Sequence, residues 1–400
     1  MMVDFAVGNV TVRPATTADR PTTPGIAKER VGLRIDNLEW SAWSDLSITL
    51  GIERCARSAS LTLSAKDPRR QRLIRIVPGL PCEVRIGDDA GADLVITGYT
   101  DDDTINPRNG TKFTIGVRSR TEDIVDCTVE HKPGIFRKRK LERIAAELCD
   151  VYHVPVLCDV DTGPVIPLFV AKRTEKVFDA LDRLSQERGL LYVDDGAGNL
   201  HITSVDPDGE VVRIIQRGRD YEELGRTRSA KERYQTYRCL GQSTSEIDAG
   251  GTATDAWMQR NRVLTFKMDK AATAKECKAR AEWEATVRAG KSVQYPITVP
   301  GWRIDPGDPD SRLWRPNILV RLIDPVWEID AVLLVAQVQF SKSVGGGTRT
   351  TLTLGSPYGY RTKPPKHKAG KRQMTDYFAG TTFDAEGFEG DGADDSGEAE

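Results

Sequence analysis

Two groups of acidic residues carry the side chains with which this sequence could perform acid–base chemistry. They are Asp101, Asp102 and Asp103, then Glu122, Asp123 and Asp126. Two carboxyl groups that flank a sugar bond can hydrolyse it, which would suit peptidoglycan as a substrate. The first group stands at the end of a strand pattern before a turn, and the second alternates with Thr, Ile and Val in TEDIVDC. Both settings favour solvated turn or capping roles over catalysis.

Other reactive combinations are sparse. Cys149, His153 and Cys158 have a short spacing that suits zinc, but a fourth ligand is missing and the surrounding helix and strand patterns favour core positions. The sequence has no GxSxG, no HExxH and no Gly-rich phosphate loop with its lysine. Its four histidines offer few bases to a Ser or Cys nucleophile. We therefore predict no catalytic, cofactor-binding or metal-binding residues, no cofactor and no enzymatic activity.

Cysteine and tryptophan positions indicate packing. The seven cysteines are odd in number and form no CxxC pair, so we expect reduced, buried thiols. Trp302 and Trp314 bracket the polar loop RIDPGDPDSRL, and Trp327 falls in the turn PVWEID. Core or rim packing is favoured for the three tryptophans, and an anchoring role between subunits stays open as the alternative.

Length and composition limit the class of protein. A chain of 400 residues predicts two to four domains of roughly 100 to 150 residues each. A hydrophobic share of 39% with 29% charged residues is typical of globular proteins, and no apolar run is long enough to span a membrane. The net charge of -2 gives no uniform field that would attract DNA, and the start lacks the pattern of a secretory signal. We expect assembly in the cytoplasm.

The first half of the chain predicts two domains after a mobile arm at residues 1–30. Residues 31–122 alternate at period two between turn residues, which predicts an antiparallel β-barrel domain. Residues 123–205 predict a small α+β domain with two amphipathic helices and a hairpin around the turn GAG. Thr174 is expected to cap the second helix and Gly189 to close it. The expected core faces of the helices are Leu141, Ile144, Ala145, Leu148 and Val151, then Val177, Phe178, Leu181 and Leu184.

The second half predicts another strand-rich domain. Residues 206–245 and 292–356 are assigned to a second β-barrel, interrupted by a helix-containing insertion at 246–291. Thr273 and Glu276 form a capping box at the start of that helix, and Gly290 is expected to end it. Residues 357–400 are basic and then acidic, with Phe378, Phe383 and Phe388 among the acids, and we expect them to be disordered.

The late strands repeat the early ones in order and spacing. Val84 and Val320 are 236 residues apart, Leu94 and Leu333 are 239 apart, and Gly110 and Gly347 are 237 apart. Two unrelated meanders could match by coincidence, but duplication explains the agreement. Three chains with two similar modules each would present six similar modules around an axis, so that threefold symmetry imitates sixfold symmetry.

Several segments in one order resemble the baseplate hub protein P family of Mu-like contractile-tail phages, which is related to the late control proteins. They are RSRTEDIVDC, LERIAAELCDVYHVPV, KVFDALDRLSQERGLLYVDDGAGNLHI and LWRPNILVRLID, within a similarity that spans residues 35–357. The resemblance implies a homotrimeric ring of pseudo-sixfold symmetry with two similar β-barrels per chain. It implies no catalytic residues.

The resemblance also implies a place in a particle. Such a ring joins the tail tube to the central spike, contacts baseplate wedge proteins and lets phage DNA pass through its lumen as cargo. The expected location is the baseplate of the virion, without membrane insertion. Two alternatives stay open: a tail-associated peptidoglycan hydrolase, and the hub of a phage-like injection particle.

Overall fold

The computed structural model describes residues 30–36, 38–40, 43–64, 76–87, 92–106, 112–185, 188–242, 250–271, 273–306, 308, 311–343, 345–360, 374–376 and 381–383. The expected N-terminal arm, apart from Arg30, and most of the expected C-terminal tail lie outside the described residues. The described chain is a β-rich α+β protein, as expected.

The first strand module contains seven strands. Every second side chain of most strands is buried, because successive side chains of a strand point to opposite faces of the sheet. Neighbouring strands pair antiparallel in the order β3–β4–β7–β6–β5–β1–β2. The strands are β1 (Val31–Ile35), β2 (Leu38–Trp40), β3 (Trp43–Gly51), β4 (Ser58–Ser64), β5 (Pro81–Ile86), β6 (Asp93–Asn106) and β7 (Lys112–Ser119).

A small α+β domain follows. Strands β8 and β10 form one antiparallel pair, while β12 lies between β11 and β9 in a second sheet. Two amphipathic helices pack against these sheets and bury one face each. The elements are α1 (Glu122–Asp126), β8 (Ile135–Arg139), α2 (Leu141–Cys149), β9 (Val156–Cys158), β10 (Ile166–Val170), α3 (Val177–Ser185), β11 (Leu191–Asp194) and β12 (Leu200–Thr203).

Two details of these helices differ from the prediction. Helix α2 ends at Cys149 and continues as a 3-10 turn, which rotates Val151 away from the core and leaves it 46% exposed. Thr174 does not cap α3, because the helix begins at Val177, whose backbone N–H donates to the carbonyl of Cys127. Gly189, the residue predicted to close this helix, has a positive φ of 79°, and its N–H donates to the carbonyl of Ser185, the last residue of α3.

Strands β13 to β22 divide between a second strand module and a separate sheet. The second strand module consists of β13 (Val211–Gln216), β14 (Glu223–Leu224), β15 (Thr227–Arg228), β19 (Val293–Pro300), β20 (Leu319–Asp324), β21 (Ile329–Ser343) and β22 (Gly347–Gly355). A separate three-stranded sheet contains β16 (Thr236–Gln242), β17 (Gly250–Thr254) and β18 (Val263–Ala271). We expected β16 to join the second barrel, but its hydrogen bonds go to β17 and β18 instead.

Helix α4 (Ala274–Lys291) covers the three-stranded sheet. The predicted capping box is present, since Glu276 N–H donates to Thr273 Oγ1 and Thr273 N–H donates to Glu276 Oε2. The helix buries small side chains against β16 and β17. Gly290 does not end the helix. It lies against the 3-10 turn Pro357–Tyr360, where a Cβ on Gly290 would stand 2.4 Å from the backbone nitrogen of Gly359.

Part of the expected tail has regular structure. The 3-10 turn Pro357–Tyr360 is packed, with Tyr360 4% exposed, so the second half of the fold extends beyond residue 356. Further along, β23 (Met374–Asp376) and β24 (Thr381–Phe383) pair with each other. These short stretches differ from the expectation of disorder over 357–400.

The two strand modules repeat one hydrogen-bonding pattern. The order β5–β6–β7–β4 of the first recurs as β20–β21–β22–β19 in the second, with antiparallel neighbours throughout. Val84 pairs with Ile96, and Val320 pairs with Leu333. Leu94 pairs instead with Arg85, because a bulge after Val84 shifts the register, so the sequence match of Leu94 with Leu333 is not reproduced in the pairing.

The modules also share one sheet. Strand β3 pairs antiparallel with β21, which joins both modules into a continuous fourteen-stranded sheet and one hydrophobic core. The strand order is open at both ends, so backbone pairing among the described residues does not close either module into a barrel.

Candidate functional site

The two acidic groups converge on one arginine. Arg118 on β7 bonds to Asp101 through Nη2 and Oδ1 at 2.8 Å, contacts Asp126 through Nη1 and Oδ2 at 3.0 Å, and also pairs with Glu122. Asp102 lies across the sheet over Gly116, whose missing side chain leaves the space. Asp103 is exposed on β6.

The electrostatics of this cluster are those of an ion-pair network. Burial raises the pKa of Glu122, against the effect of Arg118, and burial also raises the pKa of Asp123. Burial lowers the pKa of Arg118, but the hydrogen bond to Asp101 and the charge of Glu122 outweigh it and raise the pKa overall. The carboxylates therefore share a guanidinium instead of facing each other across a cleft, and the cluster joins β6 and β7 to α1.

The remaining predicted candidates are dispersed or packed. No group of three metal-ligating side chains is found in the described part of the chain; Cys149 is buried in α2, while His153 and Cys158 are exposed. Trp302 and Trp314 belong to the main core, and only Trp327 of the three is exposed, with Arg226 stacked 4.9 Å from its ring centre. Five of the seven cysteines are buried, and Cys127 is half-buried.

The junction of β3 and β21 is the most extensive feature that holds the halves together. Residues Gln337–Ser343 pair with Asp45–Gly51. Its core-facing side chains are fully or nearly fully buried, with Leu50 opposite Val338 and Ile48 opposite Phe340. Burial of such aliphatic and aromatic groups stabilises the fold by about 1.5 to 3 kcal/mol per side chain. The junction therefore fixes the orientation of one module relative to the other.

Comparisons with known proteins agree with this architecture. Family models match three parts of the chain: the N-terminal domain of Mu phage baseplate assembly protein GpP-like proteins at residues 30–121, the second domain of gp44-like baseplate hub proteins at 121–204, and the fourth domain of GpP at 273–363. The baseplate hub protein gp44 of Escherichia phage Mu is 31% identical over 345 residues, which cover 82% of this chain and 88% of the phage protein. The chain belongs to the Mu-type baseplate hub family.

Solved structures resemble the hub over most of its length. The 43 kDa tail protein of prophage MuSo2 from Shewanella oneidensis is 26% identical with a TM-score of 0.72, and the tail protein from Neisseria meningitidis MC58 is 20% identical with a TM-score of 0.71. Each alignment covers 83% of this chain and 99% of the other. The chain is thus a structural hub protein of a phage tail baseplate. None of the helices in its described part is both long and apolar enough to cross a membrane.

The sequence did not reveal the residues that hold the small domain of the hub to its first strand module. Arg57 Nη2 donates to the carbonyl oxygen of Asp194 at 2.7 Å, and its Nε lies 3.2 Å from Oδ1 of the same residue. Thr121 Oγ1 donates to Asp194 Oδ2 at 3.0 Å. Burial raises the pKa of Asp194 although Arg57 opposes the shift. Neither Arg57 nor Asp194 lies in a recognisable motif.

The predicted turn GAG takes part in the same contact. Gly196 and Gly198 have positive φ angles of 93° and 79°, and the turn they form approaches β6 closely. A Cβ on Gly196 would meet the carbonyl oxygen of Leu94 at 2.9 Å. Arg120 Nε donates to the Gly198 carbonyl at 3.2 Å. Glycine is needed here for both the backbone conformation and the close approach.

A second buried carboxylate orders the loop before β14. Asp324 is fully buried and accepts hydrogen bonds from Tyr221 Oη at 2.6 Å, from Arg217 Nη1 at 3.2 Å and from two backbone N–H groups. Burial opposes its charge, but these hydrogen bonds outweigh that effect and lower the pKa of Asp324. Burial and Asp324 together raise the pKa of Tyr221 to about 12. The network fixes where β14 and β15 lie beside β19.

Proposed function

We propose that this hub assembles as a homotrimeric ring of pseudo-sixfold symmetry that joins the sixfold tail tube of a contractile phage to the threefold central spike. The observation that carries the proposal is the repeated strand pattern: one chain holds the order β5–β6–β7–β4 and its copy β20–β21–β22–β19 in one sheet. Three such chains offer six similar surfaces to one neighbour and a threefold surface to the other.

Each module would act as a barrel in the ring. In the first module a side chain links β3, at one end of the strand order, to β1, the second-last strand at the other end, since Trp43 Nε1 donates to the carbonyl of Val31 at 3.0 Å. Covering the remaining strand edges by neighbours would prevent uncontrolled pairing with other chains. The open order of the isolated chain fits a module that is completed on assembly.

The role proposed for the ring is that of a scaffold without catalysis. It would reside in the tail baseplate of the virion, be assembled in the host cytoplasm, contact wedge proteins and leave a lumen for DNA ejection. The ion pairing of Glu122, Asp101 and Asp126 with Arg118 supports a structural role for the acidic residues. A zymogram on purified peptidoglycan should show no clearing, and clearing that disappears in Glu122→Gln would overturn the scaffold assignment.

The experiment that tests the ring is a measurement of mass and symmetry. Analytical ultracentrifugation of the full chain at micromolar concentration should give three times the chain mass, and electron microscopy should show a ring with six similar lobes. A stable monomer, together with particles in which no threefold hub is seen, would refute the proposal.

A further inference from the structure

In its second half, strand β6 has an edge with which no described strand pairs. Residues 93–99 pair with β5 on one side and residues 98–106 pair with β7 on the other. Beyond Thr100, whose N–H donates to Leu80, no described strand pairs with the β5 side of β6. The side chains of residues 101–105 are all exposed, and Ile105 is 53% exposed although it lies opposite the buried Phe113.

The equivalent edge in the second module is occupied. Strand β21 pairs with β20 through residues 329–334 and with β22 through residues 334–343, as β6 does with β5 and β7. Its second half then accepts β3 on the β20 side. Val338 and Phe340, which occupy the positions of Asp103 and Ile105, are therefore fully buried. The repeat predicts a missing strand beside β6.

The strand that would fill this place can be identified from the same repeat. Strand β3 pairs with β4, and the copy of β4 is β19, which pairs with β14 and β15. Leu46 faces Leu61 in the first module, and Leu224 faces Ile297 in the second. The segment 223–228 therefore corresponds to β3, and its outer edge carries no described strand.

The repeat also gives the register of the missing contact. Leu50 lies opposite Val338 and Ile48 lies opposite Phe340 within the chain. Transferred to the equivalent residues, Arg228 faces Asp103 and Arg226 faces Ile105. The apolar pair Leu50–Val338 is thus replaced by two opposite charges, and the pair Ile48–Phe340 is replaced by an arginine and an isoleucine. Arg226 and Arg228 are exposed, as is Asp103.

We propose that β14 and β15 of one copy of this chain pair antiparallel with residues 101–105 of β6 in a second copy, along the edge that no described strand occupies, with Arg228 opposite Asp103. The inference rests on the ring proposed above and specifies its contact between subunits. The contact is heterologous, and it closes a ring when each repeat turns by one third of a circle, as the ring proposed above requires. Hydrogen bonds between the two backbones would provide the affinity between subunits. The ion pair across the strands would select one register and disfavour the others.

Charge reversal tests the contact. Asp103→Arg and Arg228→Asp, each alone, place like charges opposite each other and should weaken association by about ten-fold or more. Combining both changes in one chain restores opposite charges at every junction and should recover assembly. Glu130→Arg, which alters an exposed ion pair with Arg173 in the small domain, is the matched control and should assemble normally. The readout is the sedimentation-derived association constant at low salt.

The possible results separate this inference from the proposed function. A wild-type chain that forms a trimer while both single variants associate equally well would overturn the strand contact and leave the ring intact. Failure of the double variant to recover would also count against the contact, provided that circular dichroism shows a folded chain. A wild-type chain that never associates would refute the ring itself.

Disulfide trapping gives an independent measurement. Opposed residues on antiparallel strands have Cβ atoms about 4.5 to 5.5 Å apart, which is near the distance that a disulfide bridges. In a Cys158→Ser background, which removes the exposed native thiol, Asp103→Cys with Arg228→Cys should form covalent dimers and trimers on oxidation. Asp103→Cys with Glu39→Cys, an exposed residue on β2, should stay monomeric on a non-reducing gel. Equal cross-linking of both pairs would contradict the proposed register.

Discussion

At the scale of single residues, the buried charges of this hub escape prediction from sequence. Arg57 bonds to a residue 137 positions away, and Arg217 to one 107 positions away. Because these pairings depend on how distant segments meet, neither partner has a local signature. The burial of most cysteines could be predicted, since most of those residues stand in an alternating or helical apolar pattern that indicates a buried position.

Breaking the pair of Arg57 and Asp194 should strongly destabilise the fold. Asp194→Asn leaves the largely buried guanidinium of Arg57 without its counter-charge, and we expect the free energy of unfolding to fall by about 3 kcal/mol. Urea denaturation followed by tryptophan fluorescence measures the change. Glu130→Gln breaks an exposed pair and should cost less than about 1 kcal/mol. An equal decrease in the free energy of unfolding in Asp194→Asn and Glu130→Gln would contradict this prediction.

Asp324 should make stability depend on acid pH. Its pKa is lower in the folded chain than the ordinary value of about 3.9, so its contribution is present above that value and is lost as the pH falls through the folded pKa. Asp324→Asn should therefore be less stable than wild type near neutral pH, and the gap should narrow below about pH 4. Denaturation midpoints across pH 3 to 7 are the measurement. A gap that is constant with pH would contradict this linkage.

At the scale of elements, repetition in the sequence predicts much of the secondary structure. Period-two alternation predicts the strands of the first module, and helical spacing predicts α2, α3 and α4. Such repetition does not identify which strands pair with each other. It predicts neither the pairing of β16 with β17 and β18 nor that of β3 with β21, whose residues lie far apart in the sequence. Alternation shows that a strand has a buried face but not which strand lies beside it.

Gly290 shows how an element is constrained by its neighbour. In an exposed helix, replacing glycine with alanine stabilises by up to about 1 kcal/mol. Here Gly290→Ala should instead destabilise by about 1 to 3 kcal/mol, because the new Cβ would overlap the backbone of Gly359. Thermal unfolding of this variant is to be compared with Glu282→Ala in the same helix, which should be nearly neutral. A stabilised Gly290→Ala would mean that the contact with the 3-10 turn is not tight.

At the scale of the whole molecule, the fold consists of one long sheet with two smaller attachments, each of which contains both strands and helices. The small domain is held to the first module by Asp194 and the GAG turn, while α4 contacts the 3-10 turn Pro357–Tyr360 after the last strand of the second module. The duplication could be inferred from the sequence, because strand spacing survives divergence. The joining of both copies into a single sheet could not be inferred from the sequence, because it depends on the pairing of β3 with β21.

The C-terminal segment supplies a test at this scale. Deleting residues 361–400 removes the basic run and the acidic stretch but leaves the packed 3-10 turn in place. We expect the truncated chain to form the proposed trimer and to bind the proposed spike partner more weakly, because charged segments of this kind often serve as tethers to partners. Sedimentation and co-purification with the spike measure the two effects. If the truncated chain binds the spike as well as the full chain does, the C-terminal segment is not a tether and serves solubility alone.

The junction of β3 and β21 has a mechanical consequence. Tilting one module against the other would require the whole ladder from Gln337 to Ser343 to break at once, together with the apolar contacts behind it. A load applied across the chain is therefore shared by many backbone hydrogen bonds, and each chain responds as a stiff unit. In a ring of such chains, compliance would be concentrated at the boundaries between subunits. Widening of the lumen would then occur by hinging between rigid arcs, without deformation inside any of them.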